Sequence, residues 1–155
     1  NNSISWKIDD GYTIAFTSKD PTGIFTKMSG EIEFDEDNLS ASKFDVVVDV
    51  SSINTGNGMQ NKHAVSAKWF DADKFPTINF KSKSFTKSKD GYSVFGTLDM
   101  HGVQKDFSMP FTFEDTVFTS SFTVNRLDFK IGTTTGPGNK VPADLKIDIS
   151  VPVSK

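Results

Sequence analysis

The feature that most limits what this chain can become is an alternation of apolar and polar residues, with a period of two, that recurs along it. Tyr12, Ile14 and Phe16 alternate with Thr13, Ala15 and Thr17, and Ile32 and Phe34 alternate with Glu31, Glu33 and Asp35. Phe44, Val46, Val48 and Val50 take one parity while Lys43, Asp45 and Asp49 take the other. The same alternation places Ile78 with Phe80, then Tyr92, Val94, Leu98 and Met100 together. Val103, Phe107, Met109, Phe111 and Phe113 follow, then Phe118, Phe122 and Val124. A last run sets Leu145, Ile147, Ile149, Val151 and Val153 against Lys146, Asp148 and Ser150. Successive side chains of a strand point to opposite faces, so the pattern predicts about eight or nine strands, each with one apolar face.

One-sided alternation is what antiparallel sheets show when their outer face is wet. A sandwich and a barrel both satisfy it. A closed eight-stranded barrel also removes exposed edges and is just wide enough to hold one small ligand. The expectation is therefore an all-β chain forming an eight-stranded antiparallel β-barrel. A polar outer face counts against a membrane barrel, whose outside must be apolar. Asp20-Pro21-Thr22-Gly23, Lys87 to Gly91, His101-Gly102 and Glu114-Asp115 read as turns by composition. Ile24 to Met28 reads as one helical turn, and Thr133 to Pro142 as a flexible loop.

One stretch, Ser51 to Phe80, breaks the strand pattern. Asn54 or Asn57 can cap a helix, and the residues from Met59 to Phe70 bring Met59, His63, Trp69 and Phe70 near one face at three-to-four spacing. Asp71 to Pro76 reads as a turn, and Pro76 ends any helix because it lacks a backbone donor. A single short helix inside a strand run predicts an element lying across one end of the barrel.

At 155 residues the chain has the size of one domain, 1–155, with a single core. Its 17 basic and 20 acidic residues are interspersed, which argues against nucleic acid as a partner. No cysteine is present, so thiolate metal sites, disulfides and cysteine nucleophiles are excluded. No apolar run approaches the roughly 18 residues of a membrane span, so the expectation is no membrane insertion, with transient membrane contact and a homodimer left open. The opening Asn-Asn-Ser suggests a mature form after signal removal, or a trimmed chain, which makes export an expectation.

Catalytic signatures are lacking. No nucleophile-elbow glycine pattern frames a serine. His63 and His101 sit in different elements, and a zinc site completed by Asp71 or Asp99 is the lesser reading beside simple capping or hydrogen bonding. The TTGPG run carries a proline where phosphate-cradling amides would be needed. Asn38-Leu39-Ser40 matches a glycosylation sequon, a weak signal. What stands out is 15 Phe in a chain only 35% hydrophobic. Either the rings fill the barrel, or with Met they line a lumen whose natural guest is a long hydrocarbon.

The ordered motifs resemble a known family. Trp6-x-Ile8-Asp9 with Ile14-x-Phe16 is similar to its opening strand. Ser52-Ile53-x-Thr55-Gly56, His63, Trp69-Phe70-Asp71 and Phe75-Pro76-x-Ile78-x-Phe80 resemble its central signature. Gly96-x-Leu98-x-Met100-His101-Gly102-Val103-x-Lys105 and Asn125-Arg126-x-Asp128-Phe129, then Val141-x-x-Asp144, complete the set in order. The family is the YceI-like family of bacterial polyisoprenoid-binding proteins. The chain departs from its pattern at Tyr12-Thr13, at Asn61-Lys62 and at Lys130, where a glycine is usual.

The resemblance implies a lipocalin-like barrel and a non-enzymatic carrier or store of an isoprenoid or similar amphipathic lipid, periplasmic or secreted. It implies no cofactor beyond a bound polyisoprenoid, quinone or fatty-acid-like lipid. Combined with inward parity, it places the tail among Phe16, Phe34, Val48, Phe80, Leu98, Met100, Phe107, Phe111 and Phe122. Met59, His63, Trp69 and Phe70 would line the mouth beneath the helix. Arg126 and Asp128, sharing a strand face if that segment is extended, would brace the barrel, with headgroup contact the lesser role. The alternatives are a structural or interaction module with a solidly packed barrel, and a lumen-based hydrolase or isomerase for which the inward positions offer no acid–base pair.

Overall fold

The computed structural model of the chain describes residues 4–17, 22–67, 69–132 and 142–155. Strands β1 (Ser5–Ile8), β2 (Thr13–Thr17), β3 (Thr22–Phe25), β4 (Met28–Glu33), β5 (Lys43–Asp49) and β6 (Ile53–Asn54) form the first half. Helix α1 (Gly58–Ala64) follows. Then come β7 (Thr77–Lys87), β8 (Tyr92–Met100), β9 (Val103–Glu114), β10 (Val117–Asn125) and β11 (Asp144–Ser154).

These pieces make eight staves, because three staves are broken in the middle. β1 and β2 both lie antiparallel to β11, one beyond the other, with Ile8 opposite Val153 and Ile14 opposite Ile149. β3 and β4 lie end to end in the same way against β2 and β1, and β5 and β6 against β4 and β3. The order β1-β4-β5-β7-β8-β9-β10-β11 returns to β1, so the barrel is closed, with every pairing antiparallel.

The turns follow from backbone conformation. His101 and Gly102, at φ 57 and 74, both lie in the left-handed region and form the two-residue link from β8 to β9. Asp115 and Thr116, at φ 52 and 59, do the same between β9 and β10. Ser88 N–H to Gly91 O at 2.9 Å closes the β7–β8 hairpin. On β7 the register shifts between Ser82 and Ser84, a bulge that returns Phe85 to the inside. Gly96 lies across from it because a Cβ there would run into the Lys81 carbonyl.

Three expectations are corrected. Ile24 to Met28 is not a helical turn: Ile24 and Phe25 belong to β3, and Met28 begins β4. The helix stops at Ala64 rather than reaching Phe70, with Asn57 as its cap, the side-chain oxygen accepting from Met59 and Gln60 N–H at 2.9 and 3.1 Å. Arg126–Phe129 is a 3-10 turn, so Arg126 and Asp128 do not share a strand face. The loop expected at Thr133 to Pro142 lies, except for Pro142, outside the described residues, as do Val141 of the last motif and part of the Asp20 to Gly23 turn.

Candidate ligand-binding cavity

Inside the barrel the inward positions divide into two zones. At the end marked by the β7–β8 and β9–β10 hairpins, aromatic rings fill the lumen. Phe34, 1% exposed, meets Phe44, Phe85, Tyr92, Phe111, Phe113 and Phe118 with ring centres 5.1–6.4 Å apart. Trp6 donates its indole N–H to the Phe34 carbonyl at 2.9 Å and packs edge-on against Phe113. Tyr92 is buried in this zone and donates its hydroxyl to Glu36 Oε1 at 2.8 Å. Burial, and then the carboxylates of Glu36 and Asp37, push its pKa up to about 12.

Beyond this plug the lumen is hollow. A cavity of about 180 Å³ runs toward the α1 end, far above the ~10–15 Å³ that a single water needs. Its wall is almost wholly carbon: Ile14, Phe16, Phe25, Met28, Val46, Val48, Phe70, Ile78, Phe80, Leu98, Met100, Met109, Phe122, Ile147 and Ile149 among others. The void also explains why Val46, Val48, Ile147 and Ile149 are only half-buried although they sit mid-strand on the inner face.

The lining's only charged residue among those described is Arg126, 2% exposed. The 3-10 turn sets it there: Asn125 caps the turn by accepting from Leu127 N–H at 2.9 Å, and Lys130 ends it in the left-handed conformation. Arg126 donates through Nε to Pro142 O at 3.1 Å and through Nη1 to Ile131 O at 2.8 Å. Its guanidinium lies over the Trp69 ring, 5.1 Å from carbon to ring centre, and burial lowers its pKa. Gly132 stands against both: a Cβ there would lie 2.6 Å from Arg126 Nη1 and from the Trp69 ring. Ser120, the buried hydroxyl of the lining, is taken up by the Pro110 carbonyl.

The structure distributes the expected lining residues as follows. Phe16, Val48, Phe70, Phe80, Leu98, Met100, Phe111 and Phe122 all face the cavity. Phe34 does not, being locked in the plug. Phe107 packs on Phe122 with ring centres 5.0 Å apart and is not part of the cavity wall. Trp69 sits behind Arg126. Met59 and His63, expected beneath the helix, are on its outside, Met59 at 68% exposure. The early end of α1 is the reason, since a seven-residue helix cannot carry Met59 and Trp69 on one face. His101 does hydrogen-bond at its turn: Nδ1 lies 2.9 Å from Phe129 O and the ring packs on Phe75.

Parity alone pointed to Phe44, Val46, Ile147 and Ile149 as further wall residues. Phe25 and Met28 were hidden by the helical reading of their segment, and Ile131 follows a turn that has no period. Among the described residues, no carboxylate or imidazole lines the cavity, and no group of three or more His, Cys, Asp or Glu is placed to hold a metal.

The model of the YceI-like domain matches residues 3–153. A UPF0312 protein of Yersinia enterocolitica is 30% identical over 132 residues, which span 76% of this chain and 67% of that protein. Among solved structures, BcnA of Burkholderia cenocepacia superposes with a TM-score of 0.86 at 23% identity, covering 96% of this chain and 100% of that one. A polyisoprenoid binding domain from Saccharophagus degradans superposes with a TM-score of 0.65 at 16% identity, over 94% and 95% of the two chains. At such identities the structural likeness concerns the fold. The sequence match across nearly the whole length carries the assignment: the chain belongs to the YceI-like family.

Proposed function

We propose that this barrel is a non-enzymatic carrier or store that holds the hydrocarbon tail of a long-chain isoprenoid or similar amphipathic lipid, polyprenyl or quinone-type, in its lumen. The observation that carries the reading is the cavity of about 180 Å³ with a carbon wall inside a closed barrel. Apolar surface left facing a void is stabilised when a hydrocarbon covers it, by about 0.8 kcal/mol per buried CH2. Met28, Met100 and Met109 give part of the wall a soft, adaptable surface suited to a flexible chain. Family membership supports the reading, and so does the shared fold of the polyisoprenoid binding domain. A lining without an acid–base pair among the described residues supports binding over turnover. The solidly packed alternative fits the aromatic end of the lumen but not the hollow part.

The test is native mass spectrometry on protein purified without detergent, followed by organic extraction and identification of any lipid. A stoichiometric polyprenyl or quinone-type lipid is the expected result. A bare protein that also fails to take up added polyprenyl lipid would overturn the reading in favour of a structural or interaction module.

A further inference from the structure

The rings that end the cavity belong also to the plug behind it. Phe44, Phe111 and Phe118 line the cavity, and their ring centres lie 6.4, 5.5 and 5.4 Å from that of Phe34. Phe34 is surrounded by aromatic partners and pinned through its carbonyl by Trp6. Phe34, so enclosed, has no empty volume to swing into, and it backs the rings that face the cavity and make its floor. At the opposite end Arg126 reaches the wall, but its guanidinium is turned to the Pro142 and Ile131 carbonyls and to the face of Trp69. The surface left for a guest is almost wholly carbon. A polar headgroup drawn inside would lose its water and find no partner, which is unfavourable.

We infer that the lumen takes a single-chain amphiphile tail first, stops it at Phe111 and Phe118, and selects by tail length while the headgroup stays outside, unread. The inference rests on the lipid-carrier reading and deepens it, because it names what part of the lipid the protein recognises. Phe111 and Phe118 are then specificity-determining residues, although neither would touch a headgroup.

The experiment is titration of the full chain, stripped of lipid, with a homologous series of straight-chain fatty acids and the matching primary alcohols. Acid and alcohol of equal length should bind within about threefold of one another, since the wall offers neither a partner. Affinity should rise by about fourfold for each added CH2 until the tail meets the floor, then stop rising. Phe118→Leu should move that break to longer tails, and Met109→Phe, which adds a ring one inward position above Phe111, should move it to shorter ones. Either shift suffices if the other variant fails to fold. A preference for acid over alcohol above about tenfold at every length, or a break absent from the wild type or moved by neither variant, overturns this inference and leaves the carrier reading standing. Failure of every tail to bind overturns this inference, and failure of added polyprenyl lipid to bind as well overturns the carrier reading with it.

Discussion

The face of Trp69 lies 5.1 Å from the guanidinium carbon of Arg126, and Gly132 presses on the same pair from within 2.6 Å of where its Cβ would be. Trp69 follows α1 and Arg126 follows β10, so this contact ties the α1 segment to the wall. Gly132 is at φ 74, where a side chain is strained even without a neighbour. Gly132→Ala should therefore cost about 1–3 kcal/mol, read as a lower urea midpoint at unchanged slope. Arg126→Met strands the Ile131 and Pro142 carbonyls and should cost about 2–4 kcal/mol. The two losses should be somewhat less than additive when combined, because the part of the Cβ clash that falls on the guanidinium is relieved while the part against Trp69 stays.

Lys130 closes the 3-10 turn at φ 59, ψ 30, a conformation that glycine adopts freely and lysine does not. Its N–H still bonds the Leu127 carbonyl at 3.1 Å, so the backbone, not the side chain, is what the position requires. Lys130→Gly should stabilise the protein by about 0.5–1 kcal/mol, seen as a rise of roughly 1–4 °C in the thermal midpoint. An unchanged or lowered midpoint would show that the lysine side chain contributes a contact that offsets its strain.

Tyr92 makes stability fall at alkaline pH. Its folded pKa, pushed up to about 12 by burial and by Glu36 and Asp37, exceeds the roughly 10 of an unfolded tyrosine. Above pH ~10 the unfolded chain releases this proton while the folded chain keeps it, so the contribution is complete below that point and is lost on the way to pH ~12. Tyr92→Phe should remove this part of the alkaline decline, and at neutral pH it should cost about 1 kcal/mol for the lost bond to Glu36. The comparison of the two proteins by denaturant titration from pH 8 to about 12 isolates the phenol from the lysines.

Leu98 faces the hollow part of the lumen beside Phe80. Leu98→Trp puts an indole into that space. A filled core would lose about 1–3 kcal/mol to overpacking. Here the expected result is a smaller stability change and a loss of lipid uptake, followed by thermal unfolding and by binding of the probe lipids side by side.

Much of this was legible because a strand's two faces are written at alternate residues. Every inward parity set on β8, β9 and β11 reappears in the core or on the cavity wall. The His101-Gly102 turn announced itself through its glycine. Parity gives the face but not the depth, and that is why Phe34 was placed with the lining: its aromatic neighbours come from five strands, β5, β7, β8, β9 and β10. The stave breaks were illegible for a related reason. Ile24, Phe25 and Met28 have the spacing of a helical turn, and only the pairing of Phe25 with Ile14 and Ile53 shows the strand. The helix was overextended because the chain after Ala64 leaves the helical ladder for turn bonds, Ser66 N–H to His63 O at 3.1 Å and Phe70 N–H to Ala64 O at 2.9 Å, while its side chains keep a helix-like spacing.

The seam of the barrel joins its first stave to its last: Lys7 faces Ser154, and the Ser154 hydroxyl donates to Asp9 across 145 residues of sequence at 2.8 Å. Loop closure over so long a separation is entropically the most demanding pairing in the fold. A chain made from its first residue onward is an open, curved sheet until residues 144–154 arrive, and an open sheet encloses nothing. The compartment comes into being only when that last strand zips into place, so enclosure is a property of the whole chain and of no part of it.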